Sequence, residues 1–128
     1  MTAAKHEGDG RATILLVEDD RELRNVGVRV LTKAGFNVLA AEDAIEAAGV
    51  LTQEHVDLLV ADILLPGLSG TELAREVRQQ YPDVRILFVS GSHHEPALDS
   101  IDLVESAVFL PKPYTPDQLI AAVRKSLA

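Results

Sequence analysis

Asp62 closes an apolar run, Leu58-Leu59-Val60-Ala61, and is followed by more apolar residues and a Pro66-Gly67 break. A carboxylate so placed is costly unless something compensates its charge. Three other apolar runs end in residues of complementary chemistry: Glu18-Asp19-Asp20 after 14–17, Ser90 after 85–89, and Lys112 after 107–110, within LPKPY. Carboxylates gathered at one point repel, and their pKa values rise unless a cation intervenes. Hard oxygen donors without His or Cys among them suit Mg²⁺, which takes one or two carboxylates and keeps places for water and phosphate. Lys112 would add a compact positive charge and Ser90 a hydroxyl. A carboxylate, a divalent cation, a lysine and a hydroxyl around one point make a site for phosphoryl transfer. The cations neutralise oxygens of a loose transition state, and the carboxylate can serve as nucleophile.

Such a site needs elements that bring four distant segments to one edge. Five apolar, branched runs at 14–17, 37–41, 57–61, 85–89 and 107–110 are continuous rather than alternating, the pattern of strands covered on both faces. Helical patterns separate them. Leu23, Val26, Val30, Leu31 and Ala34 form one stripe, ended by Gly35. Asp43 with Glu46 predicts a capping box opening a helix through about Gln53. Ser69 with Glu72 repeats it, with Leu73, Ala74, Val77 and Tyr81 as the buried face. Thr115-Pro116-Asp117-Gln118 places an N-cap, a proline at N1 and a glutamine at N3 before the last helix. Between them, Pro96 opens a weaker fourth helix carrying Leu98, Ile101 and Val104 within 92–106. Strand–helix alternation of this kind predicts a parallel sheet with helices on both faces. In such sheets, functional residues collect at the carboxyl ends of the strands, and all four loaded positions lie there.

The 128 residues suffice for one domain with its own core, and 47% hydrophobic with 25% charged residues is ordinary for a globular chain. The absence of cysteine excludes disulfides and thiolate metal sites. No apolar run is long enough to span a bilayer and no signal peptide is evident, so a cytoplasmic location and no membrane partner are expected. A net charge of −8 argues against direct nucleic-acid binding. Residues 1–11 read as a flexible leader and 12–128 as the domain, without linkers, repeats or low-complexity segments.

The stretches ILLVEDD, VADILLPGLSG, ILFVSGS and VFLPKPYTP, in this order and spacing, resemble the receiver (response regulator) domain of bacterial two-component signalling. The resemblance runs from about Ala12 to Ala128. It implies a flavodoxin-like, doubly wound five-stranded parallel sheet of order 2-1-3-4-5 with about five helices. It implies Asp62 as phospho-acceptor from a phosphohistidine of a histidine kinase or phosphotransfer protein, with Mg²⁺ as cofactor, Mn²⁺ substituting. Asp19 and Asp62 would ligate the metal directly, the Leu64 backbone carbonyl would complete the protein's ligands, and Glu18 would act through water. Ser90 and Lys112 would hold the phosphoryl oxygens, Phe109 would be the switch aromatic that follows Ser90, and the Lys112–Pro113 bond would be cis. The protein would be a signalling module rather than an enzyme, reporting phosphorylation to an output protein or a second copy through the face of the fourth helix, fifth strand and fifth helix. The initial Met1 and leader suit a stand-alone regulator, whereas the FLPKPYTPDQLIAAVRKSLA ending resembles receivers attached to hybrid histidine kinases.

Plainer readings stand beside these for several residues. Asp20 reads as the N-terminal charge of the first helix, Lys112 between prolines as a rigid loop, Phe109 as core, and His93-His94 as solvated. A small phosphatase of the haloacid-dehalogenase type also uses an aspartyl nucleophile, Mg²⁺, Ser/Thr and Lys. It needs a second acid two residues after the nucleophile, where this chain has Leu64. A phosphorylation-independent docking module would have lost a site residue, and none is lost. Leu64 offers an attacking water nothing to orient it, so slow self-dephosphorylation is expected.

Overall fold

Continuous apolar segments become strands here because a central strand has no polar face. The structure, a computed structural model, describes residues 10–65, 69–91 and 107–128. Five strands, β1 (Thr13–Val17), β2 (Asn37–Ala41), β3 (Leu58–Asp62), β4 (Arg85–Ser90) and β5 (Val108–Pro111), form one all-parallel sheet of order β2-β1-β3-β4-β5. This is the doubly wound order that the resemblance implies. Every residue of β1 and β3 is buried, whereas the edge strands β2 and β5 are partly open.

Four helices lie among the described residues: α1 (Arg21–Lys33), α2 (Ala44–Gln53), α3 (Gly70–Gln80) and α4 (Pro116–Leu127). The helix expected within 92–106, the loop histidines His93 and His94, the Pro66-Gly67 break and most of the 1–11 leader fall outside the described residues. Successive strand residues point to opposite faces, and two core layers result. Leu15, Val17, Leu59 and Ala61 pack toward α2 and α3, in one cluster with Ala47, Leu51, Leu73 and Val77. Ile14, Leu16, Leu58, Val60, Leu87 and Val89 pack with Leu31, Leu119 and Val123 of α1 and α4.

The helix starts follow the sequence closely. Ser69 and Thr115 head full capping boxes, each side chain accepting from the N3 amide while Glu72 or Gln118 returns the bond to the N-cap amide. Asp43 caps α2 through the Glu46 amide at 2.8 Å, but the box is displaced: the Glu46 carboxylate reaches the Glu42 amide, one residue earlier than expected. A second correction concerns α1. Leu23 and Val26, expected on its buried stripe, are 44% and 48% exposed. The buried residues of α1 are Gly27 and Leu31, because Gly27 lets the helix settle directly on Leu16. Tyr81 ends α3 as its C-cap and is half-buried against the core rather than part of a helical face.

Candidate functional site

Strand order reverses between β1 and β3, and the crevice at such a reversal lies at the carboxyl ends of the strands. Glu18 follows β1 there, Asp62 is the last residue of β3, and Lys112 follows β5. The three side chains meet. The Lys112 ammonium donates to Asp62 Oδ2 at 2.6 Å and to Glu18 Oε1 at 3.0 Å. Glu18 and Asp62 are only 5% and 8% exposed, so this bridge is a largely desolvated one.

Each carboxylate is also fixed by backbone. Asp62 Oδ1 accepts the Leu64 amide at 2.8 Å, and Glu18 Oε2 accepts the Asp20 amide at 3.1 Å. The main chain behind Asp62 is held as firmly, with the Ile63 amide donating to the Val89 carbonyl and the Gly70 amide to the Ile63 carbonyl. Gly70 opens α3 hard against that chain, where a Cβ would fall 2.8 Å from the Asp62 carbonyl carbon and 2.9 Å from the Ile63 Cα. The glycine thus sets how closely α3 approaches the acceptor.

Burial pushes the Glu18 carboxyl up from its usual range, against the opposing pull of the Asp20 amide and Lys112, and the adjacent Asp19 carboxyl adds to the rise. Burial works against the charge of Lys112 too, but its hydrogen bonds to Asp62 and Glu18 outweigh that, and its pKa is raised. Tyr114, next along the loop, is raised by burial.

The remaining expected residues lie around this centre in different ways. Asp19 is exposed at the site's rim beside Glu18. Leu64 turns its side chain outward, 54% exposed, while its amide faces Asp62. Ser90 ends β4 in register with Pro111, one residue before Lys112. Phe109 is 39% exposed and stacks on Phe88, ring centroids 5.5 Å apart at 25°. The Lys112–Pro113 peptide is cis.

The donor set fits a divalent cation in charge and kind. Glu18, Asp19 and Asp62 carry three negative charges against the one positive charge of Lys112, which leaves a deficit of two. All the donors are oxygens, as a hard cation prefers. Among the described residues no three acidic or imidazole side chains converge closely enough to enclose an ion alone. A cation here would therefore need main-chain oxygen and water as well, the habit of Mg²⁺. Beside Lys112, the exposed Leu23 and Val26 face Pro113, Tyr114 and Pro116 across an apolar groove of about 210 Å³.

Fold and site together define an aspartate-centred module on a doubly wound sheet, and comparison with known proteins places it. Residues 14–124 match the response regulator receiver domain, and the chain belongs to that family of two-component signalling modules. The sensor kinase CckA of Brucella abortus is 36% identical over 120 residues; the match covers 92% of this chain but only 13% of CckA. The response regulator receiver protein CpdR of the same organism is 34% identical over 114 residues, covering 89% of this chain and 95% of CpdR. The crystal structure of a response regulator receiver protein from Sinorhizobium medicae superposes with a TM-score of 0.82 at 31% identity, covering 91% of this chain and 94% of that one. Among the described residues no helix is long and apolar enough to cross a membrane.

Two features of the site had weak sequence signals. That Glu18 rather than Asp19 would be the buried partner of Lys112 depends on which way each side chain leaves the strand end. Gly70 was visible only as a residue near a cap, and its contact with Asp62 emerges from the packing.

Proposed function

We propose that the chain accepts a phosphoryl group on Asp62 from the phosphohistidine of a histidine kinase or phosphotransfer protein, and that the modification switches a protein-interaction face. The observation that carries this reading is the two-way bridge from Lys112 to Asp62 and Glu18 at the switch point of the sheet. A carboxylate oxygen of Asp62 attacks phosphorus; the P–O bond forms as the P–N bond to imidazole breaks, and the imidazole leaves with the bonding pair. The Leu64 amide fixes the plane of the carboxylate. Lys112 follows the charge as it moves from the Asp62 oxygen to the phosphoryl oxygens, and the Ser90 hydroxyl donates to one of them. Asp19, Asp62 and the Leu64 carbonyl would hold Mg²⁺, with Glu18 acting through water. When bound, the ion would neutralise phosphoryl oxygens during transfer. Leu23 and Val26 offer the donor protein an apolar footing next to the acceptor.

Output is read from the face that includes β5 and α4. As Ser90 engages the phosphoryl group, Phe109 leaves its half-exposed place on Phe88 and turns inward, so phosphorylation shifts a two-state equilibrium. The partner at that face is an output protein or a second copy of the chain. The role is that of a cytoplasmic signalling module that assists its own phosphorylation, either as a stand-alone regulator or within a hybrid kinase.

Incubation with acetyl phosphate tests the reading. With Mg²⁺, the wild type should gain one phosphoryl group and Asp62→Asn none; equal labelling of the variant overturns it.

A further inference from the structure

Arg24 lies on the first turn of α1, and its side chain is only partly exposed. Its hydrogen bonds go back to the acidic loop. The guanidinium donates to the Glu18 carbonyl at 2.8 Å, with a longer 3.5 Å contact to the Asp19 carbonyl, and its own amide donates to the Asp20 carbonyl at 2.9 Å. The last of these is the first i→i−4 bond of α1, so the side chain itself holds two consecutive carbonyls of the acidic loop, those of Glu18 and Asp19. The loop's other bonds are complementary: the Glu18 amide donates to the Ala41 carbonyl, the Asp20 amide to Glu18 Oε2, and the Asp20 carboxylate accepts the Leu23 amide.

We propose that Arg24 is a positioning residue for the cation site: its guanidinium clamps the main chain of Glu18 and Asp19, so that both carboxylates stay presented toward Asp62. This rests on the Mg²⁺ reading above. The charge of Arg24 makes the role distinctive. A cation beside an acidic loop disfavours a second cation by simple Coulomb repulsion, so a guanidinium that served only as a charge would weaken Mg²⁺ binding. Because it donates to carbonyls, it leaves the carboxylate oxygens for the ion and contributes order to the loop. Groups that orient metal ligands from behind influence affinity strongly, about 10- to 100-fold when removed.

The two roles predict opposite signs. In a calorimetric Mg²⁺ titration, Arg24→Gln should bind about 10-fold more weakly than wild type or worse. Arg24→Lys, which keeps the charge but loses the planar guanidinium whose single Nη1 reaches both carbonyls, should fall between the two. Binding by Arg24→Gln that equals or exceeds wild type overturns the assignment. Should Arg24→Gln fail to fold, Arg24→Lys carries the test, and unchanged binding there overturns it equally. A second measurement is independent of the metal: amide hydrogen exchange in EDTA. The Asp20 amide should exchange several-fold faster in the variants while β3 amides keep their protection, and unchanged exchange at Asp20 overturns the clamp. Absence of Mg²⁺ binding by the wild type would count against the cation reading alone, and the exchange measurement would still decide on Arg24.

Discussion

Replacing Gly70 by alanine should destabilise the protein, against the direction that helix propensity gives. The three atoms nearest a Cβ at Gly70 are all backbone: the Asp62 carbonyl carbon at 2.8 Å, the Ile63 Cα at 2.9 Å, and the Asp62 carbonyl oxygen closer still. No side chain can swing aside, so either α3 or the end of β3 must move. Overpacking of this kind costs about 1–3 kcal/mol, and contacts that are all main chain put Gly70→Ala in the upper half of that range. The gain from removing glycine, about 0.5–1 kcal/mol in a helix interior, is smaller and is diminished at the first residue of a helix. A net loss of about 2 kcal/mol lowers Tm by roughly 8 °C for a domain of this length. Gly49 in α2 is the control. It has helical backbone and nothing within 4 Å of a Cβ, so Gly49→Ala should stabilise by about 0.5–1 kcal/mol. Urea unfolding of both variants measures the pair. A Gly70→Ala protein as stable as wild type would refute the claim that α3 sits against the acceptor's main chain.

Other substitutions probe the site and its frame. Lys112→Met leaves Glu18 and Asp62 buried without their cation and should cost about 3 kcal/mol at neutral pH in EDTA, the lower end for a broken buried pair because Lys112 is partly exposed. The raised Glu18 pKa means that the folded protein takes up a proton there before the unfolded chain does. The Glu18 share of the variant's deficit should therefore shrink as pH falls through the raised folded value and stop changing by about 4.3, the ordinary glutamate value. For Lys112, also raised, the stabilisation is complete below about 10.4 and lost as pH climbs through the folded value, so wild type should lose stability in alkali where Lys112→Met does not. Denaturant melts across pH check both limbs. Leu64→Asn, which puts a polar amide at the open edge of the site two residues after the acceptor, should speed loss of phosphate by about tenfold, a modest share of the ~10²–10⁴ available to positioned proton-transfer groups; equal or slower decay would sink the idea. Thr115→Ala removes one capping box and should cost about 1 kcal/mol in thermal unfolding.

The fold was legible because its elements announce themselves locally. Central strands such as β1 and β3 must be apolar throughout when helices cover both faces, and Ser69/Glu72 and Thr115/Gln118 mark helix starts by satisfying orphan amides. The convergence of Asp62, Glu18 and Lys112 also followed, since parallel topology brings strand ends to one edge. What periodicity could not convey was contact through absent side chains. In α1, Gly27 meets the sheet and turns Leu23 and Val26 outward, although a hydrophobic stripe counts glycine as nothing. Arg24 was equally hidden, because its partners are carbonyls whose directions depend on the folded loop.

If Asp62 is a Mg²⁺-dependent phospho-acceptor, locating the phosphoryl group tests that role most directly. Borohydride reduction after phosphorylation converts an aspartyl phosphate to homoserine, which peptide mass spectrometry assigns to a residue. Homoserine should appear at position 62, depend on Mg²⁺ and vanish with EDTA. A modification mapped to another residue, or one indifferent to EDTA, would contradict the account.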